Sequence, residues 1–100
     1  MELRQLLDDC RFWTMNNTYE PEEIATRFHH RLVAVHCYPN GNGRHARLAA
    51  DLLLISMGLE RFSWGGKNLA DVGETRKRYI AALQAADRHD IRPLLEFVRS

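Results

Sequence analysis

Apolar residues recur at helical spacing through most of the chain, and proline- and glycine-rich breaks cut that pattern into short lengths. Leu3, Leu6, Leu7, Cys10 and Trp13 predict a first helix from about Glu2 to Met15, ended by the turn-rich "NNTYEP". Pro21 suits a first helical turn, and Glu22 and Glu23 favour the positive end of the helix dipole. Ile24, Phe28, Leu32 and Val35 form one stripe of this second helix down to His36, where Pro39 and the following glycines stop it. A third helix is expected from near Gly43 to Met57, closing at Gly58, with Leu48, Leu52 and Ile55 on one side and Leu53 on another. Its all-round apolarity predicts a buried central helix. "FSWGGKN" reads as a loop, with a short extended piece as the alternative. Asp71 and Glu74 have the spacing of a capping box for a fourth helix carrying Tyr79, Ile80, Leu83 and Ala86. Asp90 is expected to cap a short fifth helix with Leu94, Leu95 and Val98 inward. The fold class is all-α, a bundle of about five helices with short connections.

With 100 residues the chain has material for one compact core, so residues 1–100 are read as a single domain. Apolar residues make up 45% and charged residues 27%, with a formal net charge of +1. That balance predicts neither disorder nor a polyanion-binding surface, so nucleic acid is not an expected partner. Cys10 and Cys37 form no CxxC pair, which argues against a disulfide framework or zinc knuckle and fits small buried thiols in a reducing cytoplasm. The N-terminus lacks a basic-then-apolar signal, and the most apolar run, from Leu48 to Met57, contains Asp51 and Ser56, so no membrane span is expected.

The connection between the second and third helices carries the chemistry. In "VHCYPNGNGRHAR", residues 35–47, Gly41 and Gly43 remove side chains where the backbone must bend, and successive N–H groups in such a bend attract anions. The positive end of the third helix starts there and adds to the attraction. Helical side chains lean toward the N-terminus, so Arg44 and Arg47, one turn apart, both reach back to the loop. Two guanidiniums over a nest of amides suit a polyphosphate. His36, at the exit of the second helix, is placed to take a proton from an attacking hydroxyl, although a helix C-terminus favours its charged form.

The stretch "HCYPNGNGRHAR" resembles the signature of the Fic/Doc family: a histidine, proline, phenylalanine, any residue, an acid, then GNGR, two residues and a second arginine. The spacing is matched without gaps. The surrounding "HHRLVAVH", "ARLAADLLLISMGL", "FSWGG" and "RYIAALQAADRHDIRPLLEF" look most like the bacterial branch labelled mobile mystery protein B. The resemblance implies a Fic-type helical core that moves a nucleoside monophosphate, usually AMP from ATP, onto a Ser, Thr or Tyr hydroxyl of a target protein, with Mg²⁺. It implies His36 as general base, with Gly41, Asn42, Gly43, Arg44 and Arg47 around the phosphates. Tyr38 replaces the family's phenylalanine and is expected to anchor the loop.

The pattern also departs from the family. Cys37 stands at the usual proline position, and Asn40 stands where an acid ordinarily helps hold magnesium; an amide oxygen is the poorer ligand for that cation. Family members carry a β-hairpin flap upstream, whereas the residues before His36 read as two helices and a turn, so this chain is expected to lack the flap and to be a shortened form. The family's inhibitory motif is not met, because Arg61 and Glu23 follow the two segments with its spacing, Ser56 to Glu60 and Thr18 to Glu22. His29, His36 and His45 suggest a metal site, but their spacing is not that of paired zinc ligands, and solvated or hydrogen-bonded side chains are the expectation. Arg76, Lys77 and Arg78 read as a solvated helix face, and Trp13 and Trp64 as packing, with a base pocket as the alternative for Trp64. Three functions follow: a Fic-type nucleotidyltransferase; a nucleotide-binding regulator without turnover, favoured by Asn40; and a partner-binding module of a toxin–antitoxin-like system. An antitoxin-like protein or a second copy of the chain is the expected partner besides the target.

Overall fold

The computed structural model describes residues 3–36, 42–67 and 71–100, with the backbone alone given at 35, 36, 42 and 43. Five helices follow in order: α1 (Leu3–Met15), α2 (Pro21–His36), α3 (Asn42–Ser56), α4 (Val72–Asp87) and α5 (Arg92–Val98). There is no strand among the described residues, and the loop reading holds for the described part of "FSWGGKN". Contacts gather into two compact units, Met1–Arg61 and Phe62–Ser100.

In the first unit Leu6 and Cys10 of α1 pack against Ile24 and Phe28 of α2, with Trp13, Tyr19, Leu32, Ala49 and Leu53 around them. The stripe predicted on α1 is thus narrower than its sequence suggests, since Leu3 and Leu7 are exposed. Two cation–aromatic contacts brace this side. Arg31 of α2 donates to Asp9 of α1 at 2.7 Å and lies over the Trp13 ring at 5.3 Å. Arg27 binds Glu23 at 2.8 Å and lies over Tyr19, whose ring meets Trp13 edge-on. The turn before α2 is closed by the Thr18 N–H on the Trp13 carbonyl and passes through Asn17 at φ 50°, a left-handed conformation that asparagine tolerates.

Helix α3 corrects the sequence expectation. Leu48, Leu52 and Ile55 are more than half exposed, at 58%, 56% and 55%, while Ala46, Ala50 and Leu54 are buried. The physical reason is size. Alanines let the α2 and α3 backbones approach closely, and of two competing apolar faces the one with small residues gives the tighter contact. The C-terminus is as expected: Gly58 at φ 80° ends the helix, with its N–H on the Ile55 carbonyl and the Leu59 N–H on the Leu54 carbonyl, both at 3.0 Å.

The second unit is held by its loop. The N–H groups of Ser63 and Trp64 donate to the Val98 carbonyl, and Lys67 donates to Ser100, satisfying acceptors at the end of α5. Gly65 turns at φ 79° under Thr75 and Phe97; a Cβ there would lie 2.9 Å from Thr75 Cγ2. Phe62 meets Trp64 edge-on and carries Arg99 over its ring at 4.6 Å. Asp71 caps α4 as predicted, accepting from the Glu74 N–H at 2.9 Å. Ala82 and Ala86 are the buried residues of α4, and Ile80 is exposed. In α5 the buried side is Leu94, Phe97 and Val98, with Leu95 half-buried. Asp90 accepts from the Arg92 N–H and guanidinium from one position outside the helix cap, which is Ile91.

Candidate functional site

His36 is the last residue of α2 and Asn42 the first of α3. The predicted site residues therefore fall at the facing ends of two consecutive helices. Asn40 and Gly41, with Cys37, Tyr38 and Pro39, lie outside the described residues, and the side chains of His36 and Asn42 are likewise undescribed.

The start of α3 differs electrostatically from the starts of its neighbours. Helix α2 opens with Glu22 and Glu23 and α4 with Glu74, each meeting its own helix's positive end. The first turn of α3 is Asn42, Gly43, Arg44 and His45, with no acid. A helix start without an acid of its own has a dipole that favours an external anion. Arg44 is exposed on that turn and Arg47 half-buried on the next, so both guanidiniums belong to one end of one helix. A chain phosphate set over this end meets backbone donors below and charge-assisted donors from the side.

A residue that sequence reasoning set aside links α3 to α2 at this height. His29 is fully buried and hydrogen-bonded to the backbone of Ala46, the residue preceding Arg47. This bond favours the charged ring, so the imidazole N–H is the donor and the Ala46 carbonyl the acceptor. Burial nevertheless dominates, and with the nearby charges of Arg47 and His30 it lowers the His29 pKa to about 4. The ring is neutral at physiological pH. Ala25, buried, and Leu32, half-buried, flank it at helical spacing, so it stands within an inward row of α2.

No group of three or more His, Cys, Asp or Glu side chains converges among the described residues, and the His36 side chain lies outside them. His29 is inside the helix interface while His45 is exposed. Cys10 is a buried free thiol whose pKa is pushed up by burial, as expected of a packing residue. Arg76, Lys77 and Arg78 are all exposed, the solvated face expected of them. Trp64 is half-buried against Phe62, in keeping with packing. No helix among the described residues is long and apolar enough to cross a membrane.

The chain is similar to known proteins over most of its length. The chain is 37% identical over 81 residues to protein adenylyltransferase fic-1 of Caenorhabditis elegans, covering 81% of this chain and 15% of that protein. It is 30% identical over 104 residues to protein adenylyltransferase Fic of Nematostella vectensis, covering 97% of this chain and 22% of that one. A solved structure of Fic-1 from C. elegans superposes with a TM-score of 0.68 at 33% identity, over 96% of this chain and 28% of the other. The chain thus spans about a fifth or less of the first two relatives' length. These relatives are animal proteins, so they carry the family and not the bacterial branch. The profile of the Fic/DOC family matches residues 1–54, which hold α1, α2 and nearly all of α3, and the chain belongs to that family.

Proposed function

We propose that the chain is the core of a Fic-type nucleotidyltransferase that moves AMP from ATP to a protein hydroxyl. The observation that carries this reading is the acid-free first turn of α3, bearing Arg44 and followed by Arg47, directly after a helix that ends on His36. Gly41, Asn42 and Gly43 complete the cradle for the phosphates. The target hydroxyl attacks the α-phosphorus, His36 takes its proton, and the bond to the departing pyrophosphate breaks. Arg44 and Arg47 hold the charge that builds on the phosphate oxygens. Asn40 would offer an amide oxygen to Mg²⁺ bound with the nucleotide, which would supply further charge neutralisation.

Asn40 in the place of the family's acid favours a second reading, a nucleotide-binding regulator with little turnover. The branch similar to mobile mystery protein B, a cytoplasmic setting, and an antitoxin-like or self partner belong to the same proposal and rest on the sequence alone.

The deciding experiment supplies ATP labelled at the α- or the γ-phosphate to the chain with Mg²⁺ and follows label on protein, the chain itself included. Transfer from the α-position that falls about 10²–10⁴-fold in His36→Ala supports the transferase. Retained ATP binding with no transfer by the wild type selects the regulator, and no ATP binding at all refutes both.

A further inference from the structure

The transfer chemistry makes no use of His29, yet this is the one histidine that is fully buried among the described residues. It belongs to α2 and packs toward α3, and the buried residues of the two helices include Ala25, Ala46, Ala50 and Leu54. Small apolar groups pack closely but are weakly directional. The hydrogen bond from the His29 ring to the Ala46 backbone supplies direction. A carbonyl in mid-helix already accepts the N–H four residues on and has a second lone pair for this bond.

The ends that the bond relates are the ones the reaction needs. His29 and His36 lie on one face of α2, two helical turns apart, and Ala46 lies between Arg44 and Arg47 on α3. We propose that His29 is a positioning residue, a clamp whose N–H on the Ala46 carbonyl sets the offset between the helix end carrying the base and the helix start carrying the phosphate cradle. The proposal rests on the transferase reading. The cradle is local to the start of α3, so the clamp governs the reaction step rather than nucleotide affinity. The charged groups facing the ring are Arg47 from α3 and His30 from α2, and both oppose its protonation.

The test compares His29→Leu, which fills the space without a donor, with His29→Gln, which restores an N–H donor. Transfer is expressed per ATP-binding molecule, so that loss of folded protein cancels. For His29→Leu, ATP affinity is expected to stay unchanged while kcat falls about 10–100-fold, and His29→Gln should recover part of the loss. A Leu variant with wild-type kcat, or Leu and Gln variants equally impaired, overturns the clamp. A wild-type chain that transfers nothing refutes the transferase reading instead. In that case, or if His29→Leu does not fold, ¹⁵N NMR of the imidazole decides the clamp. A neutral ring at pH 5.5 with one slowly exchanging N–H supports it, and a charged or rapidly exchanging ring overturns it.

Discussion

The imidazole of His29 on α2 and the backbone of Ala46 on α3 are joined by a hydrogen bond inside the helix interface. Because burial lowers the His29 pKa to about 4, the folded chain resists taking up a proton that the unfolded chain binds near pH 6.5. Between these values the unfolded state holds more protons, so stability rises with pH there and falls on acidification. His29 should contribute its full share above pH 6.5 and lose about 3 kcal/mol of it by pH 4. Urea titrations of wild type and His29→Leu across this window check the point. The wild type should lose more stability than the variant on acidification; parallel losses would place the proton elsewhere. Asp9 and Asp90, each held below the usual carboxylate range by hydrogen bonds from Arg31 and Arg92, affect stability only at still lower pH.

The inward face of α3 gives a sharp contrast. Leu54 is fully buried and Leu52 is 56% exposed, although the two are nearly adjacent in sequence. Leu54→Ala should cost about 2–5 kcal/mol through lost burial and a residual cavity. Leu52→Gln should change stability by roughly 0.5 kcal/mol or less, as for other exposed positions. Denaturant midpoints with unchanged slopes would read both values directly.

The course of α3 shows where sequence reading was sufficient and where it was not. Helix limits were legible because their signals are local: Pro21, the Asp71 cap and Gly58 act on backbone groups within a few residues. The facing of α3 was not legible, since leucines on several sides satisfy more than one amphipathic pattern and only the fit against α2 selects Ala46 and Ala50. The motif from His36 to Arg47 was legible as a spacing of residue types, whereas the part of His29 was hidden because a polar side chain counts against an inward row until its acceptor is known.

Two glycines with nearly the same backbone should respond differently. Gly58 and Gly65 both have positive φ, but a Cβ at Gly58 meets nothing, while at Gly65 it lies 2.9 Å from Thr75 Cγ2 and 3.0 Å from Phe97. Gly58→Ala should cost about 1–2 kcal/mol from the left-handed conformation alone. Gly65→Ala should cost more, because Thr75 or the Phe97 ring must also move. Thermal unfolding of the two variants checks the order, and equal shifts would contradict it.

Asn40→Asp restores the acid of the family signature at the one motif position where the charge differs. With Mg²⁺ the carboxylate is a preferred ligand, so metal affinity and transfer should both rise. In chelator the same charge repels phosphate, and ATP binding should weaken. A magnesium dependence identical to that of the wild type would remove position 40 from the metal's surroundings.

Calorimetry of ATP binding to Arg47→Ala decides whether the start of α3 is a phosphate cradle. Alanine preserves the helix, and Arg76→Ala, on the exposed face of α4, serves as a control for charge alone. Loss of charge-assisted hydrogen bonds should weaken ATP binding by about 1–3 kcal/mol in Arg47→Ala, with Arg76→Ala unchanged. Wild-type affinity in Arg47→Ala, or equal weakening in the two variants, would contradict the cradle.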